Sequence, residues 1–571
     1  MMLRQRRILL VCLGLAVAFA APASGEPARA RHHMIIAAEP LAAGAGLDVL
    51  RAGGSAVDAA IAAQAVLALV EPQASGLGGG AVMLHYAAAS GKVTAWDGRE
   101  TAPAAAGSDL FLAADGRPMG FYAAAVGGRA VGVPGAFAML EAAHRAYGRL
   151  PWERLFAAAI GLAERGFAVP PRLAAAIAAD AERLGSRPAA RAYFFRPDGT
   201  PLQAGETVVN GSFAEALRAI AAGGAVALHR GALAVAIATA VRTDANPGLL
   251  IADDLAAYVP KQREPVCGLY RAWRVCGMGP PSSGGPTVLE TLGLLAHLDI
   301  AGLARDAGTP GVDAAHLLIE AERLARADRA LYLADSDFVA LPLPGLLAAD
   351  YLTTRAQLID RDRAMAGVRA GNPDWPAPEL APAPAQPEHG TSQISVVDDD
   401  GNAVSLTTTV EDVFGSRLLV NGFLLNNELT DFSFVPSVAG RAVANRVEPG
   451  KRPLSSMAPT LVFDRAGRLR FVLGSVGGAR IIGDVTQALV ELLDWGVDPA
   501  ATAAAPHVSS LDDSADLEAG TAAAALAPAL AARGQKVRSY TSISGLAIIA
   551  LSPEELSGGA DPRREGVAVG D

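Results

Sequence analysis

Residues 389–410 read His389-Gly390-Thr391-Ser392-Gln393-Ile394-Ser395-Val396-Val397-Asp398-Asp399-Asp400-Gly401-Asn402-Ala403-Val404-Ser405-Leu406-Thr407-Thr408-Thr409-Val410. Two runs of period two, Gln393 to Val397 and Ala403 to Val410, flank an Asp/Gly/Asn loop, which is the signature of a β-hairpin. The chain before it has another character. Pro373, Pro376, Pro378, Pro382, Pro384 and Pro387 disfavour helix and sheet, so residues 366–390 are expected to be exposed and extended. Thr391 therefore stands where an extended segment runs into a strand, behind an uncrowded Gly390. A threonine hydroxyl is a weak nucleophile, but freed as a chain N-terminus its own α-amine can act as the base. Most Gly-Thr pairs are ordinary loop-to-strand junctions, and this one decides nothing alone.

Outward from the hairpin the chain is mixed α/β. Upstream, Asp58 to Leu69 has the apolar periodicity of a buried helix. Gly76-Leu77-Gly78-Gly79-Gly80 then breaks it before a strand over Ala81 to Tyr86. Those glycines lack the G-x-G-x-x-G spacing and no P-loop lysine follows, so they read as a tight turn. Residues 135–260 are predicted mostly helical. Asp313 to Leu333 is predicted as a long amphipathic helix with Leu317, Leu318, Ala321 and Leu324 on one face. Downstream, Leu461 to Phe463 and Leu469 to Gly474 form a second strand pair, and Ile543 to Leu551 reads as a buried strand.

The N-terminus has the pattern of a secretory signal. Arg4, Arg6 and Arg7 precede an apolar stretch from Ile8 to Ala20, and Ala21-Pro22-Ala23 offers a small-residue cleavage site. A membrane anchor is the competing reading, disfavoured by the short apolar stretch. Cys12 lies within it. Residues 1–25 are thus expected to be removed, leaving a periplasmic or secreted protein with no membrane attachment. The net charge of −10 argues against a nucleic-acid partner. Apolar residues at 51% and charged residues at 19% exclude wholesale disorder.

Cys267 and Cys276 would remain in an oxidising compartment, on two short predicted strands around a turn. Either they face each other and form a cross-strand disulfide or they stay free. Their spacing suits no metal site, and no metal or other cofactor is expected.

Several longer motifs occur in order. They are Asp97-Gly98-Arg99-Glu100-Thr101-Ala102-Pro103, Pro280-Pro281-Ser282-Ser283-Gly284-Gly285, Thr391 to Asp398, Leu425-Asn426-Asn427-Glu428-Leu429-Thr430-Asp431-Phe432-Ser433, Lys451-Arg452-Pro453-Leu454-Ser455-Ser456-Met457 and Gly474-Ser475-Val476-Gly477-Gly478-Ala479-Arg480. From about Met34 to its end the chain resembles the γ-glutamyltransferase family of N-terminal nucleophile hydrolases. The resemblance implies a four-layer αββα sandwich of the α/β (α+β) class. It implies cleavage between Gly390 and Thr391 into a large fragment, 26–390, and a small one, 391–571, that remain together as a heterodimer. It further implies that Thr391 attacks a γ-glutamyl carbonyl, that Thr409 bonds the Thr391 hydroxyl, and that the N–H groups of Gly477 and Gly478 form an oxyanion hole. Arg99, Ser455 and Ser456 would hold the donor's α-carboxylate, and Glu428 and Asp431 its α-ammonium. The implied partners are small molecules: a γ-glutamyl donor and a water, amino-acid or peptide acceptor.

Each residue also has a plain structural reading. Arg99 beside Glu100 could be an ion pair, Ser455-Ser456 a helix cap and Gly477-Gly478 a turn. Glu411 departs from the asparagine usual in glutathione-cleaving members and would add a carboxylate to the donor pocket. The segment from Asp431 to Ser455, a lid in some members, is short and lacks tyrosine. A glutaryl-cephalosporin-type acylase is the same-family alternative. An unprocessed, catalytically dead secreted scaffold is the alternative of another class.

Overall fold

The computed structural model describes residues 26–571 except 304, 307, 376–378 and 389. The expected leader over residues 1–25 and Cys12 lie outside the described residues. Among the described residues no helix is long and apolar enough to cross a membrane.

Two seven-stranded antiparallel sheets form the centre, and their strands are numbered here in chain order. The first sheet contains β2 (Met34–Ala37), β3 (Gly80–Ala87), β4 (Lys92–Gly98), β5 (Lys261–Arg263), β8 (Gly390–Val397), β9 (Ala403–Glu411) and β14 (Val567–Gly570). Its order is β14-β2-β8-β9-β3-β4-β5, so the hairpin lies in the middle. The second sheet contains β1 (Ala28–Ala30), β6 (Val266–Tyr270), β7 (Trp273–Gly277), β10 (Thr460–Phe463), β11 (Leu469–Gly474), β12 (Ala547–Leu551) and β13 (Leu556–Ala560). Its order is β1-β13-β12-β11-β10-β7-β6. Strand β8 packs on β11 and β12, which stacks the sheets face to face.

Helices cover both outer faces. On the first sheet lie α1 (Pro40–Arg51) and α2 (Ala56–Val70); on the second lie α3 (Gly284–Leu295), α4 (Val312–Tyr332) and α5 (Ile481–Leu493). The result is the αββα sandwich that the resemblance implies. The period of two in β2 explains how one strand serves two cores. Ile35 and Ala37 join the core under α1 and α2, whereas Met34 and Ile36 enter the core between the sheets. Helix α2 starts from a reciprocal cap in which the Ser55 side chain accepts from the Asp58 N–H and Asp58 accepts from the Ser55 N–H. In α4, Leu317, Leu318, Ala321 and Leu324 all join the hydrophobic cluster that the second sheet shares with α3 and α5.

Cys267 and Cys276 oppose each other on β6 and β7 and are disulfide-bonded. One expectation is corrected. The proline-rich segment is not free of sheet: Leu380–Ala381 pairs in parallel with Arg441–Val443, which also forms a hairpin with Ser437–Val438. Leu380 and Ala381 lie between prolines and keep their own N–H groups, so a two-residue ladder survives where a longer one would not.

Candidate active site

The inner face of the central hairpin is polar. Gln393 donates to Ser405 Oγ at 2.9 Å and accepts from Thr407 at 2.6 Å, while Ser395 reaches the Ala547 carbonyl across the sheets at 2.9 Å. Gly474 allows this, because a Cβ there would stand 2.4 Å from the Gln393 carboxamide. By the same alternation Thr391 points into the gap between the sheets, and Ser392 points to the helix side, where it donates to Glu71.

The ladder is irregular at Thr391. Gly390 pairs with Glu411 but Ser392 pairs with Thr408, so Thr409 and Val410 together oppose Thr391. Such a bulge re-aims side chains at a sheet end. Here it brings Thr409 onto the bond before Thr391. The Thr409 hydroxyl donates to the Gly390 carbonyl oxygen at 2.6 Å and accepts from the Glu411 N–H at 2.7 Å. The sequence reading has Thr409 bonding the Thr391 hydroxyl; in the folded chain that hydroxyl instead accepts from the Gly477 N–H at 2.9 Å. Gly477 has φ 121° and Gly478 φ 60°, left-handed values that glycine adopts without strain.

Thr391, Thr409, Gly390, Gly478, Arg99, Glu411, Glu428, Asp431, Ser455 and Ser456 line one cavity of about 230 Å³. Residues spread over more than 300 positions of chain thus meet at one point. Gly477 joins them through its bond to Thr391.

Arg99 is 1% exposed and already engaged. It donates to Glu428, to Asp431, to the Pro453 carbonyl at 3.2 Å and to the Leu454 carbonyl at 2.8 Å. Four of the five N–H donors of a guanidinium are therefore taken, and a free fork for a donor carboxylate is not what the fold presents. Burial works against the Arg99 charge, but Glu428, Asp431 and Glu100 outweigh it and hold its pKa above the usual arginine value.

The acids are in excess. Glu411 accepts from Asn427 and from Thr430, the latter at 3.1 Å. Burial, then the charges of Asp431, Asp412 and Glu428, push the Glu411 carboxyl well above the ordinary range. Burial also raises Asp431, with Arg99 opposing. Glu428 is raised by burial and partly relieved by Arg99. Such a cluster attracts protons or a cation.

Sequence reasoning missed three residues here, Glu388, Arg329 and Arg564. Glu388 lines the cavity. Arg329, on α4, donates to Glu388 at 3.0 Å, to Ser456 Oγ at 2.8 Å and to Ser283 Oγ at 2.8 Å. Behind the strand, Arg564 donates to Glu71 at 3.0 Å and to the Thr391 carbonyl at 3.3 Å. Burial, then Arg172, brings the Arg564 pKa down to about 10. These residues sit in unremarkable sequence; only their meeting marks them. Among the described residues no cluster of His, Cys, Asp or Glu has metal-binding geometry.

Residues 42–571 match the profile of a family described as Gamma-glutamyltranspeptidase. The chain is 38% identical to a glutathione hydrolase proenzyme of Escherichia coli K12 over 94% of this chain and 91% of that one. It is 36% identical to the acylase ACY 1 proenzyme of Pseudomonas sp. SE83 over 95% and 94% respectively. Among solved structures, a cephalosporin acylase from Bacillus halodurans superposes with a TM-score of 0.83 at 27% identity, over 98% of this chain and 99% of that one.

Proposed function

The chain belongs to the γ-glutamyltranspeptidase family of enzymes, and on that premise we propose that it is an autoprocessed γ-glutamyltransferase and glutathione hydrolase, exported to the periplasm or the medium. The observation that carries this reading is the single cavity in which Thr391 meets both Arg99 and the three acids Glu411, Glu428 and Asp431.

Self-cleavage comes first. The Thr391 hydroxyl oxygen adds to the Gly390 carbonyl carbon, and the oxyanion that forms lies where Thr409 already donates a hydrogen bond. The Gly390–Thr391 C–N bond breaks, the nitrogen takes the proton of the hydroxyl, and water hydrolyses the resulting ester. The products are a large fragment ending at Gly390 and a small fragment, 391–571, with a free α-amine on Thr391. They stay together because two strands of the small fragment remain paired with strands of the large one, β8 with β2 and β9 with β3.

Turnover then uses Thr391 again. Its α-amine removes the hydroxyl proton, and the oxygen attacks the γ-carbonyl of the donor. The N–H groups of Gly477 and Gly478 receive the developing oxyanion. The leaving amine takes the proton, and water or an amine acceptor then releases the γ-glutamyl group from the threonine ester. Glu411, Glu428 and Asp431 pair with the donor α-ammonium. Ser455 and Ser456 bind its α-carboxylate, with Arg99 contributing its remaining donor.

A second reading, acylation by a glutaryl donor, is favoured by the likeness to an acylase along nearly the whole chain. Comparing γ-glutamyl-p-nitroanilide with glutaryl-p-nitroanilide on the purified protein tests the assignment. We expect the γ-glutamyl compound to be cleaved far better; comparable kcat/KM values would favour the acylase.

A further inference from the structure

A groove of about 1080 Å³ adjoins the cavity, and Glu388 and Asp431 line both. One wall is the segment 383–388, just upstream of the bond to be cut, and three arginines face it from the body of the protein: Arg326, Arg329 and Arg538. Two of them have carboxylate partners that do not belong to that segment. Arg326 is held by Glu322 on its own helix, and Arg538 by Asp516. Arg329 differs: among the described residues its carboxylate partner is Glu388, two residues before the cleavage site. The other bonds of its guanidinium go to the hydroxyls of Ser283 and Ser456.

Cleavage after Gly390 removes the covalent tie that holds Glu388 at this junction. Glu388 then belongs to a fragment end, bound through a contact that a dissolved carboxylate can replace group for group. Arginine suits the exchange because its planar fork accepts any carboxylate of suitable position. The amino-acid end of the donor is served by the acids around Arg99. Arg329 lines the adjoining groove instead, outside the cavity that holds Thr391.

We propose that Arg329 is a specificity-determining residue that binds the carboxylate of a peptide leaving group or acceptor, and that Glu388 holds this position until self-cleavage releases it. The proposal rests on the γ-glutamyl reading of the site. It assigns the non-reacting end of the substrate a chemistry: an amino-acid or peptide α-carboxylate rather than a neutral amine.

The test uses the processed enzyme and two matched donors, glutathione and its C-terminal amide, with γ-glutamyl-p-nitroanilide as a third donor whose leaving group has no carboxylate. In the wild type, glutathione should show a KM at least fivefold below that of its amide. Arg329→Gln should lose at least tenfold more kcat/KM on glutathione than on the amide or the anilide, and Arg329→Lys should recover part of the difference. Equal losses on all three donors would place Arg329 at the donor end or in the framework and overturn the proposal, as would no loss on any. If Arg329→Gln does not cut itself, the wild type decides: equal KM for glutathione and its amide overturns the proposal while leaving the γ-glutamyl reading intact. A wild type that cleaves none of the three sinks that reading, and this proposal with it.

Discussion

Thr409 donates its hydroxyl proton to the carbonyl oxygen of Gly390 at 2.6 Å, and the Glu411 N–H in turn supports the Thr409 oxygen at 2.7 Å. A donor already aimed at a carbonyl whose oxygen must gain charge is an oxyanion site built for the chain's own peptide bond. Removing one such donor typically slows acyl transfer by about 10²–10³-fold. Thr409→Val should therefore slow self-cleavage by about that factor, and Thr409→Ser should retain it. A time course on denaturing gels reads the rate. N-terminal sequencing of the smaller band should give Thr-Ser-Gln-Ile-Ser, and Thr391→Ala should remain one chain.

Gly390 leaves no room for a side chain. A Cβ there would stand 2.7 Å from the Glu411 carbonyl oxygen, a backbone atom that the β9 ladder holds in place. Forcing extra atoms into a packed site costs about 1–3 kcal/mol. Gly390→Ala should therefore displace the bond to be cut and delay self-cleavage while the sheets still form. Wild-type cleavage rates in Gly390→Ala would contradict this.

Arg99 now reads differently than as a simple carboxylate clamp. It is fully buried against Glu428 and Asp431, with Glu100 at 3.9 Å. Removing one partner of a buried ion pair costs about 3–5 kcal/mol, because the other charges are left uncompensated. Arg99→Ala should lower stability to denaturant as well as activity. Arg99→Lys should recover little, since one ammonium cannot serve both acids and two carbonyls. A variant with wild-type stability and only a raised KM would restore the clamp reading.

The acidic cluster predicts a pH signature. Glu411 and Asp431 are raised by burial first. An ammonium in the pocket favours their ionised forms, so binding it should release protons. KM for a γ-glutamyl anilide should fall as pH rises through this titration, until the donor's own ammonium deprotonates. Glutaryl anilide lacks the ammonium, so its KM should rise over the same range. A site built for a polar group rejects an analogue lacking it by about 10⁴-fold in favourable cases. Glu411→Asn should keep γ-glutamyl activity and narrow the preference. Parallel pH profiles for the two anilides would refute the ammonium pocket.

Glu39 gives a test of stability away from the site. It caps α1 by accepting from the Leu41 N–H at 2.7 Å and the Ala42 N–H at 3.2 Å. Burial, and then the nearby Glu565 and Glu71, outweigh these bonds and push its carboxyl up to about 7. The folded chain thus favours the protonated form. That contribution is complete below the ordinary value of 4.5 and is lost as pH rises through about 7. Glu39→Gln keeps an acceptor for the cap and cannot ionise. It should melt higher than wild type at pH 8 and gain nothing at pH 4; equal shifts at both would rule out titration of Glu39 as the cause.

The hairpin at 390–411, the capped helix α2 and the face of α4 were legible because each is a local pattern. Period two or 3.6, a capping serine or a loop glycine acts on neighbours in the chain, and those neighbours are written side by side. The candidate site was legible only through long motifs in family order, since Arg99, Glu428 and Ser455 carry no periodic signal. Three things escaped. The strand Leu380–Ala381 was hidden by its prolines, because its partner Arg441–Val443 lies some sixty residues away. Arg329 and Arg564 are single arginines in a chain with many. The engagement of Arg99 by Glu428 and Asp431 depends on where a guanidinium points after folding.

The amino-acid sequence by itself determined the strands and helices, the polar hairpin and the threonine at its start, because short-range sterics and side-chain alternation act within a few residues. Only the tertiary structure decided that Thr409 faces the Gly390 carbonyl, that Gly477 faces Thr391 and that Glu388 occupies Arg329. Those contacts join segments distant in the chain, and their geometry follows from how two sheets stack and where one bulge turns the ladder.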